Sequence, residues 1–291
     1  MKDKPTNHFQ FNEFDPPLAD PLIHIRPNST LNQTLLSTRS KERVVALLTP
    51  VFLLLLWELL VRNGVLDKRF FPAPSSIVST FHYLLVEAPW GNSLVFHTLK
   101  SMSRASIGFL IGAFPAILLG IMMGLIPLVR AALQPMIGAL FPIPKVAIMP
   151  LIMLVFGLGE ESKWAIIAIG VFFQVLIATA AGVSNIDKIY IDVGRNFAAS
   201  RLATYIFIAL PGALPMIFAG IRLGWGVALL LLVTAEMVSS QSGLGFMIWR
   251  AWQLLAVEDM YVGLVTIAAI GIISFWLLDA IESKMVPWKI H

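Results

Sequence analysis

Three charged side chains lie inside long apolar segments of the chain, where charge is otherwise rare. Lys145 lies in the apolar stretch 136–156, and Arg222 and Glu236 lie in the stretch 213–237. A charge at the bilayer centre costs at least ~2.5 kcal/mol on insertion scales, so such residues usually face a bundle interior or an aqueous cavity and have a partner. These three could line a path for a charged solute or join two subunits. The alternative is that they only hold helices together or extend to the membrane surface.

The expected ion pair is Lys145 with Glu236, in one subunit or across a dimer. Arg222 and Glu236 are separated by ~21 Å along a straight helix and therefore cannot pair within it. Three prolines interrupt the segment around Lys145, namely Pro142, Pro144 and Pro150. Irregular backbone at membrane depth is tolerated only where it is buried in protein or lines a cavity. The candidates for the translocation pathway or the dimer interface are Lys145, Pro144, Arg222 and Glu236.

The residue patterns of common active sites are missing from the sequence. It contains no GxxxxGK[ST] phosphate loop, no HExxH zinc motif and no GxSxG nucleophile elbow, and the five histidines are scattered. The chain has no cysteine, which excludes disulfides, thiolate metal sites and cysteine nucleophiles. We therefore assign no catalytic and no metal-binding residues, and a membrane enzyme is disfavoured.

The composition indicates the environment in which these residues must be positioned. Of the 291 residues, 57% are hydrophobic and 13% are charged, and the mean hydropathy is +0.81. Soluble domains carry roughly 25% charged residues. These values exclude a disordered protein and an ordinary soluble enzyme, and they predict a multi-pass membrane protein. No cluster of basic and aromatic residues indicates nucleic-acid binding.

Six apolar stretches are each near the ~20 residues that cross the hydrocarbon core as a helix. They are residues 44–61, 105–126, 136–156, 164–183, 213–237 and 261–278. Because backbone groups in lipid must be satisfied within the segment, the sequence predicts an all-α membrane protein with six transmembrane helices. A short interfacial helix is expected over 72–85. Three glycine pairs with GxxxG spacing favour close packing within the chain over dimerisation: Gly108/Gly112, Gly120/Gly124 and Gly220/Gly224.

The termini are both expected on the cytoplasmic side. Basic residues are more numerous in the segments on the side of the N-terminus, which favours an N-in and C-in orientation. Residues 1–43 are polar and rich in proline, and they are predicted to be a disordered cytoplasmic tail. Residues 44–291 are predicted to form the transmembrane domain.

The connection between the fourth and fifth spans, about 184–211, is longer than a minimal link requires. It is amphipathic, and the orientation above places it in the cytoplasm. A short helix that ends before Pro211 would present a surface to a soluble partner there. The alternative is an interfacial helix that lies on the membrane without a partner.

This connection resembles the EAA-type loop of the inner-membrane permease subunits of binding-protein-dependent ABC importers. In that loop, E-A-A-x-x-x-G is followed by further residues and then L-P. Asp192 takes the acidic position, Ala198 takes the glycine position, and Leu210 and Pro211 form the L-P pair. The resemblance implies that this segment couples to an ATPase subunit. The residues expected to do so are Asp192, Val193, Gly194, Arg195, Phe197, Ala198, Ser200, Arg201 and Pro211.

Three further blocks, 151–163, 210–224 and 235–249, resemble the branch of these permeases that serves taurine, alkanesulfonates and nitrate. The resemblance implies a type I ABC importer permease in the bacterial inner membrane. It implies a homodimer, two ATP-binding cassette subunits that carry ATP and Mg, and a periplasmic or surface solute-binding protein. No cofactor is expected in this chain, and its other surroundings are membrane lipid.

The expected activity is import of a small anionic solute of the sulfonate or taurine type. Nitrate, bicarbonate, a thiamine precursor or an aromatic acid are alternatives within the same class of permease. A secondary transporter that works without an ATPase is the alternative from another class.

Overall fold

The computed structural model describes residues 29–186, 189, 192, 196, 200–204, 207–208 and 210–288. Throughout these residues the regular structure is helical and no strand is present, which confirms the all-α prediction. Five helices are long and apolar enough to cross a membrane, and a bent pair of shorter helices provides a possible sixth span. The chain divides into two units, Met1–Leu56 and Trp57–His291.

The first helix, α1, covers Ser29–Arg62 and contains 34 residues, with Pro50 inside it. Its apolar part, Val44–Arg62, matches the first predicted span. This helix begins at Ser29, inside the polar segment up to residue 43 that was predicted to be disordered. No proline or glycine lies between Pro27 and Pro50, and extending an existing helix is far less costly than starting one.

A short helix, α2 (Pro74–His82), lies inside the stretch 72–85, where a short helix was predicted. Its first turn is held by Glu58 in the last part of α1, whose carboxylate accepts hydrogen bonds from the Ser75 backbone N–H at 3.0 Å and from the Ser75 hydroxyl at 2.8 Å. Such a carboxylate satisfies N–H groups that have no partner within the helix.

Three long helices form the core of the second unit. They are α3 (Leu94–Leu125), α6 (Glu160–Ser184) and α7 (Leu210–Ser239). Their buried residues form one apolar cluster, which includes Ala116 on α3, Val171 on α6 and Ala228 on α7. The central helix is α6, since both α3 and α7 pack against it.

The glycine pairs explain why these helices can approach so closely. A Cβ atom at Gly120 would lie 2.7 Å from Thr179 Cβ, and one at Gly220 would lie 2.6 Å from Ala178 Cβ. All six glycines face α6: Gly108, Gly112, Gly120, Gly124, Gly220 and Gly224. The prediction that the GxxxG pairs serve packing within the chain is confirmed.

The third predicted span is not a single helix. The chain forms α4 (Pro127–Leu140), a 3₁₀ turn (Lys145–Ile148) and α5 (Met149–Phe156), with a bend of 84° between α4 and the rest. A proline disfavours helical conformation in the residue before it. Pro142 and Pro144 therefore end α4, and the expectation of one span over 136–156 is corrected to a broken pair.

Two helices follow the core, α8 (Leu244–Gln253) and α9 (Val257–Met285). Helix α9 contains the sixth predicted span. The helix ends that meet the 185–209 connection are called the loop end below. The opposite end, where α3 and α6 begin and α7 stops, is called the cluster end.

Candidate functional site

A cluster of polar side chains joins α3, α6, α7 and the α7–α8 turn at the cluster end. We define the polar cluster as Ser101, Arg104, Glu160, Glu236 and Ser242. Arg104 is 3% exposed and Glu236 is fully buried. Buried charges are tolerated where they are paired and hydrogen-bonded, and both conditions are met here.

Arg104 is at the centre of this cluster, and each of its five N–H groups has an acceptor. Nε and Nη2 donate to the two carboxylate oxygens of Glu160 at 2.6 and 2.7 Å. Nη1 donates to Oε1 of Glu236 at 2.8 Å and to the Ser242 carbonyl at 2.6 Å, and Nη2 also donates to the Ser242 hydroxyl at 2.9 Å. Because a guanidinium has five donors and no acceptor, Arg104 retains no donor for a solute.

Glu236 anchors the start of α8. Its Oε2 accepts from the backbone N–H of Gly245 at 2.9 Å, and the Ser101 hydroxyl donates to both carboxylate oxygens at 2.8 and 2.9 Å. A carboxylate is favourable at a helix N-terminus, where backbone N–H groups lack partners and the helix dipole is positive. The negative charge of Glu236 is therefore balanced from two sides, by Arg104 and by α8.

Two further N–H groups at the start of α8 bind to α3. The backbone N–H of Gly243 donates to His97 Nδ1 at 3.0 Å, and that of Leu244 donates to Ser101 Oγ at 2.8 Å. Gly243 has a φ of 108°, and a Cβ atom at this position would overlap the Glu236 carboxylate. The position therefore requires glycine.

Lys145 does not pair with Glu236 within the chain, so the prediction of a pair in one subunit is wrong. Its Nζ donates to three carbonyl oxygens at the end of α4, those of Phe141 at 2.6 Å, Ile143 at 2.8 Å and Leu140 at 3.2 Å. It also lies 4.7 Å from the ring centroid of Phe173. A cation is favourable at a helix C-terminus, so the bend supplies a local partner and Glu236 takes the nearer Arg104. Pro144 directly precedes the 3₁₀ turn and is exposed.

Arg222 pairs with neither Lys145 nor Glu236. It forms ion pairs with Asp279, at 2.9 Å between Nε and Oδ1, and with Glu282 of α9. The prediction that Arg222 and Glu236 do not pair is confirmed. The three charges at depth therefore have three different sets of partners, and each joins or caps helices.

Arg104 was not among the predicted site residues, because it lies just before the apolar stretch 105–126. A helical spacing was available as a signal. His97, Ser101 and Arg104 recur every three to four residues and so lie on one face of α3. Gly108 continues that face toward α6.

Part of the predicted coupling segment is described. Asp192 and Ser200 are exposed, and the Ser200 hydroxyl accepts from the Ala203 backbone N–H at 3.2 Å, next to a helical turn at Arg201–Thr204. Pro211 lies in the first turn of α7. Of the other predicted coupling residues, Arg201 is described in its backbone only. Those outside the described residues are Val193, Gly194, Arg195, Phe197 and Ala198.

No group of three or more His, Asp or Glu side chains among the described residues has the arrangement of a metal site.

Residues 116–287 match the family described as the binding-protein-dependent transport system inner membrane component. The putative aliphatic sulfonates transport permease protein SsuC of Bacillus subtilis (strain 168) is 34% identical over 243 residues, which cover 84% of this chain and 87% of the relative. The taurine transport system permease protein TauC of Escherichia coli (strain K12) is 32% identical, over 86% of this chain and 91% of its own. The nitrate import permease protein NrtB of Leptolyngbya laminosa is 28% identical, over 81% and 85%.

Proposed function

The chain belongs to the family of binding-protein-dependent transport system inner membrane components, and on that premise we propose that it forms the membrane path for a small organic sulfonate. It is a multi-pass transport subunit of an ABC importer, and ATP hydrolysis belongs to a separate subunit. The family match favours this function over that of a secondary transporter or a membrane enzyme.

The substrate class rests on one observation. The relatives named for aliphatic sulfonates and taurine align with more than four fifths of this chain at 32–34% identity. Nitrate is the second candidate, because the relative named for nitrate import aligns over a similar share at 28% identity. Both candidates are small solutes that carry an anionic oxygen group.

The proposed assembly consists of two copies of this chain, two ATP-binding cassette subunits and an external solute-binding protein, in the bacterial inner membrane. ATP and Mg would bind to the cassette subunits, and this chain would hold no cofactor. An N-in and C-in orientation would place the loop end at the cytoplasmic face. The coupling segment from Asp192 to Arg201 would then contact the cassette subunit.

The core packing supports a mechanical role for α6 and α7. At the loop end they flank the coupling segment, and at the cluster end they carry Glu160 and Glu236. The 25 residues of α6 extend ~37 Å. Closely packed helices move as rigid bodies, because interiors have crystal-like density. Movement of the coupling segment would thus be transmitted across the membrane to α8.

The bend between α4 and α5 is the proposed wall of the pathway or of the subunit interface. Leu140, Phe141, Ile143 and Val146 expose their side chains there, although they are apolar. Lys145 and Pro144 belong to this bend, whereas Arg222 and Glu236 are proposed to act through the helices they join.

The substrate class can be tested on the cognate binding protein, since its ligand is the transported solute. Thermal unfolding would be followed with taurine, an alkanesulfonate, nitrate and bicarbonate. We expect stabilisation by taurine or the alkanesulfonate, because a ligand that binds only the folded state raises its stability. Stabilisation by nitrate or bicarbonate alone would contradict the sulfonate assignment.

A further inference from the structure

A cavity of about 340 Å³ lies between α4 and α6 near the loop end. At one end its lining is polar, with Arg130 and Gln134 of α4 and Ser184 and Asn185 at the end of α6. The rest of the lining is apolar and includes Ile137 and Ile177. The cavity thus combines a cationic end with an apolar wall.

The guanidinium of Arg130 is fixed at the polar end by the last turn of α3. Nε donates to the carbonyl of Met123 at 2.9 Å, and Nη2 donates to the carbonyl of Gly124 at 2.7 Å. The last carbonyls of a helix have no acceptor role within it, so Arg130 caps α3 across the short turn to α4. These two bonds leave Nη1 with no hydrogen-bond partner among the described residues.

No carboxylate lines the described wall of this cavity. Nη1 of the half-buried Arg130 guanidinium can therefore donate hydrogen bonds to a ligand of opposite charge. Gln134 adds amide donors one helical turn further along α4. Arginine forks match the oxygens of phosphate groups. Charge and geometry at this end both favour a phosphate.

We propose that this cavity binds an anionic phospholipid, with its headgroup phosphate at Arg130 and an acyl chain along the apolar wall. The site lies near the ends of α3 and α6, where the headgroup layer meets transmembrane helices. Basic pockets between such helices bind anionic headgroups. A free oxyanion would use only the polar end, whereas a lipid fits both. The proposal is independent of the transported substrate.

The test uses the full-length chain in complex with its ATPase subunits, in nanodiscs of phosphatidylcholine that contain a minority of phosphatidylglycerol. Retained lipids are counted by native mass spectrometry after detergent extraction. We expect Arg130→Gln to reduce retained phosphatidylglycerol about fivefold, the effect of one basic residue near a membrane surface. Lys284→Gln is the matched control, because Lys284 is an exposed cation in the last turn of α9 and does not line the cavity.

A second variant is a control, because Arg130→Gln also removes the hydrogen bonds that cap α3. Gln134→Glu leaves both carbonyl bonds of Arg130 in place and adds a carboxylate that competes with the phosphate, so we expect a similar loss. Three results would overturn the proposal. They are unchanged retention of phosphatidylglycerol in both variants, an equal loss of phosphatidylglycerol in Lys284→Gln, or bound inorganic phosphate with no retained phosphatidylglycerol. The absence of bound lipid because a second copy covers the cavity would also overturn it.

Discussion

At the scale of single residues, the chain uses its few charges at depth as helix anchors. Arg104 donates to two carboxylates and to Ser242, and Lys145 donates to three carbonyls. In each case the donors of the cation are occupied within the chain. An anionic substrate would therefore be bound by other groups or by a rearranged state of these.

Glu236 provides the most direct test at this scale. Removing one partner of a buried ion pair costs about 3–5 kcal/mol, because the other charge is left uncompensated. We expect Glu236→Ala to lower the free energy of unfolding by that amount and to reduce uptake. Glu236→Gln should be milder, since it keeps the shape and one carbonyl oxygen. Thermal unfolding of the purified complex and uptake in proteoliposomes measure the two effects.

The control for Glu236 is Glu161→Gln. Glu161 is an exposed carboxylate beside Glu160 and outside the polar cluster. It should leave both measurements unchanged. Wild-type stability and wild-type uptake in Glu236→Ala would show that the cluster does not anchor α8 in the working transporter.

At the scale of helices, glycine decides how closely α3 approaches α6. A Cβ atom at Gly112 would overlap the backbone carbonyl of Ala168, which cannot move without moving α6. Overpacking of this kind typically costs about 1–3 kcal/mol. We expect Gly112→Ala to lower the melting temperature, measured by thermal unfolding in detergent.

Gly138 of α4 offers the matched substitution, since no atom lies within 4 Å of a Cβ atom built there. Gly138→Ala should leave the melting temperature unchanged or raise it, because alanine favours helix. Equal melting temperatures for the two variants would contradict the proposed close packing.

The coupling segment is an element with its own test. Asp192→Lys reverses the charge of an exposed residue that is proposed to meet the ATPase subunit. We expect normal membrane insertion and loss of the ATPase stimulation that the loaded binding protein produces. Glu161→Lys makes the same reversal at the opposite end and should retain stimulation. Wild-type stimulation in Asp192→Lys would contradict the coupling role.

The sequence predicted some elements and not others, and the difference has physical causes. Spans were found because bilayer thickness fixes their length and composition, as with 164–183 inside Glu160–Ser184. The bend between α4 and α5 at Pro144 and the partner of Glu236 were not predicted, because both depend on which helices meet in space. The helical start at Ser29 was missed since polar residues extend a helix without any apolar signal.

At the scale of the whole molecule, the chain is a transport subunit of an importer whose energy comes from another protein. Its core is three packed helices, with a polar cluster at one end and the coupling segment at the other. If the coupling segment contacts the ATPase subunit as proposed, α6 would provide a path of ~37 Å to the opposite end. Transport by this chain is therefore expected to depend on its partner proteins.

Reconstitution in proteoliposomes measures this dependence. Uptake of labelled taurine would be compared between vesicles that contain this chain alone and vesicles that also contain the ATPase subunits, with ATP inside and loaded binding protein outside. We expect uptake only in the complete system, and none by the chain alone under an ion gradient. Gradient-driven uptake by the chain alone would contradict dependence on the ATPase and identify a secondary transporter.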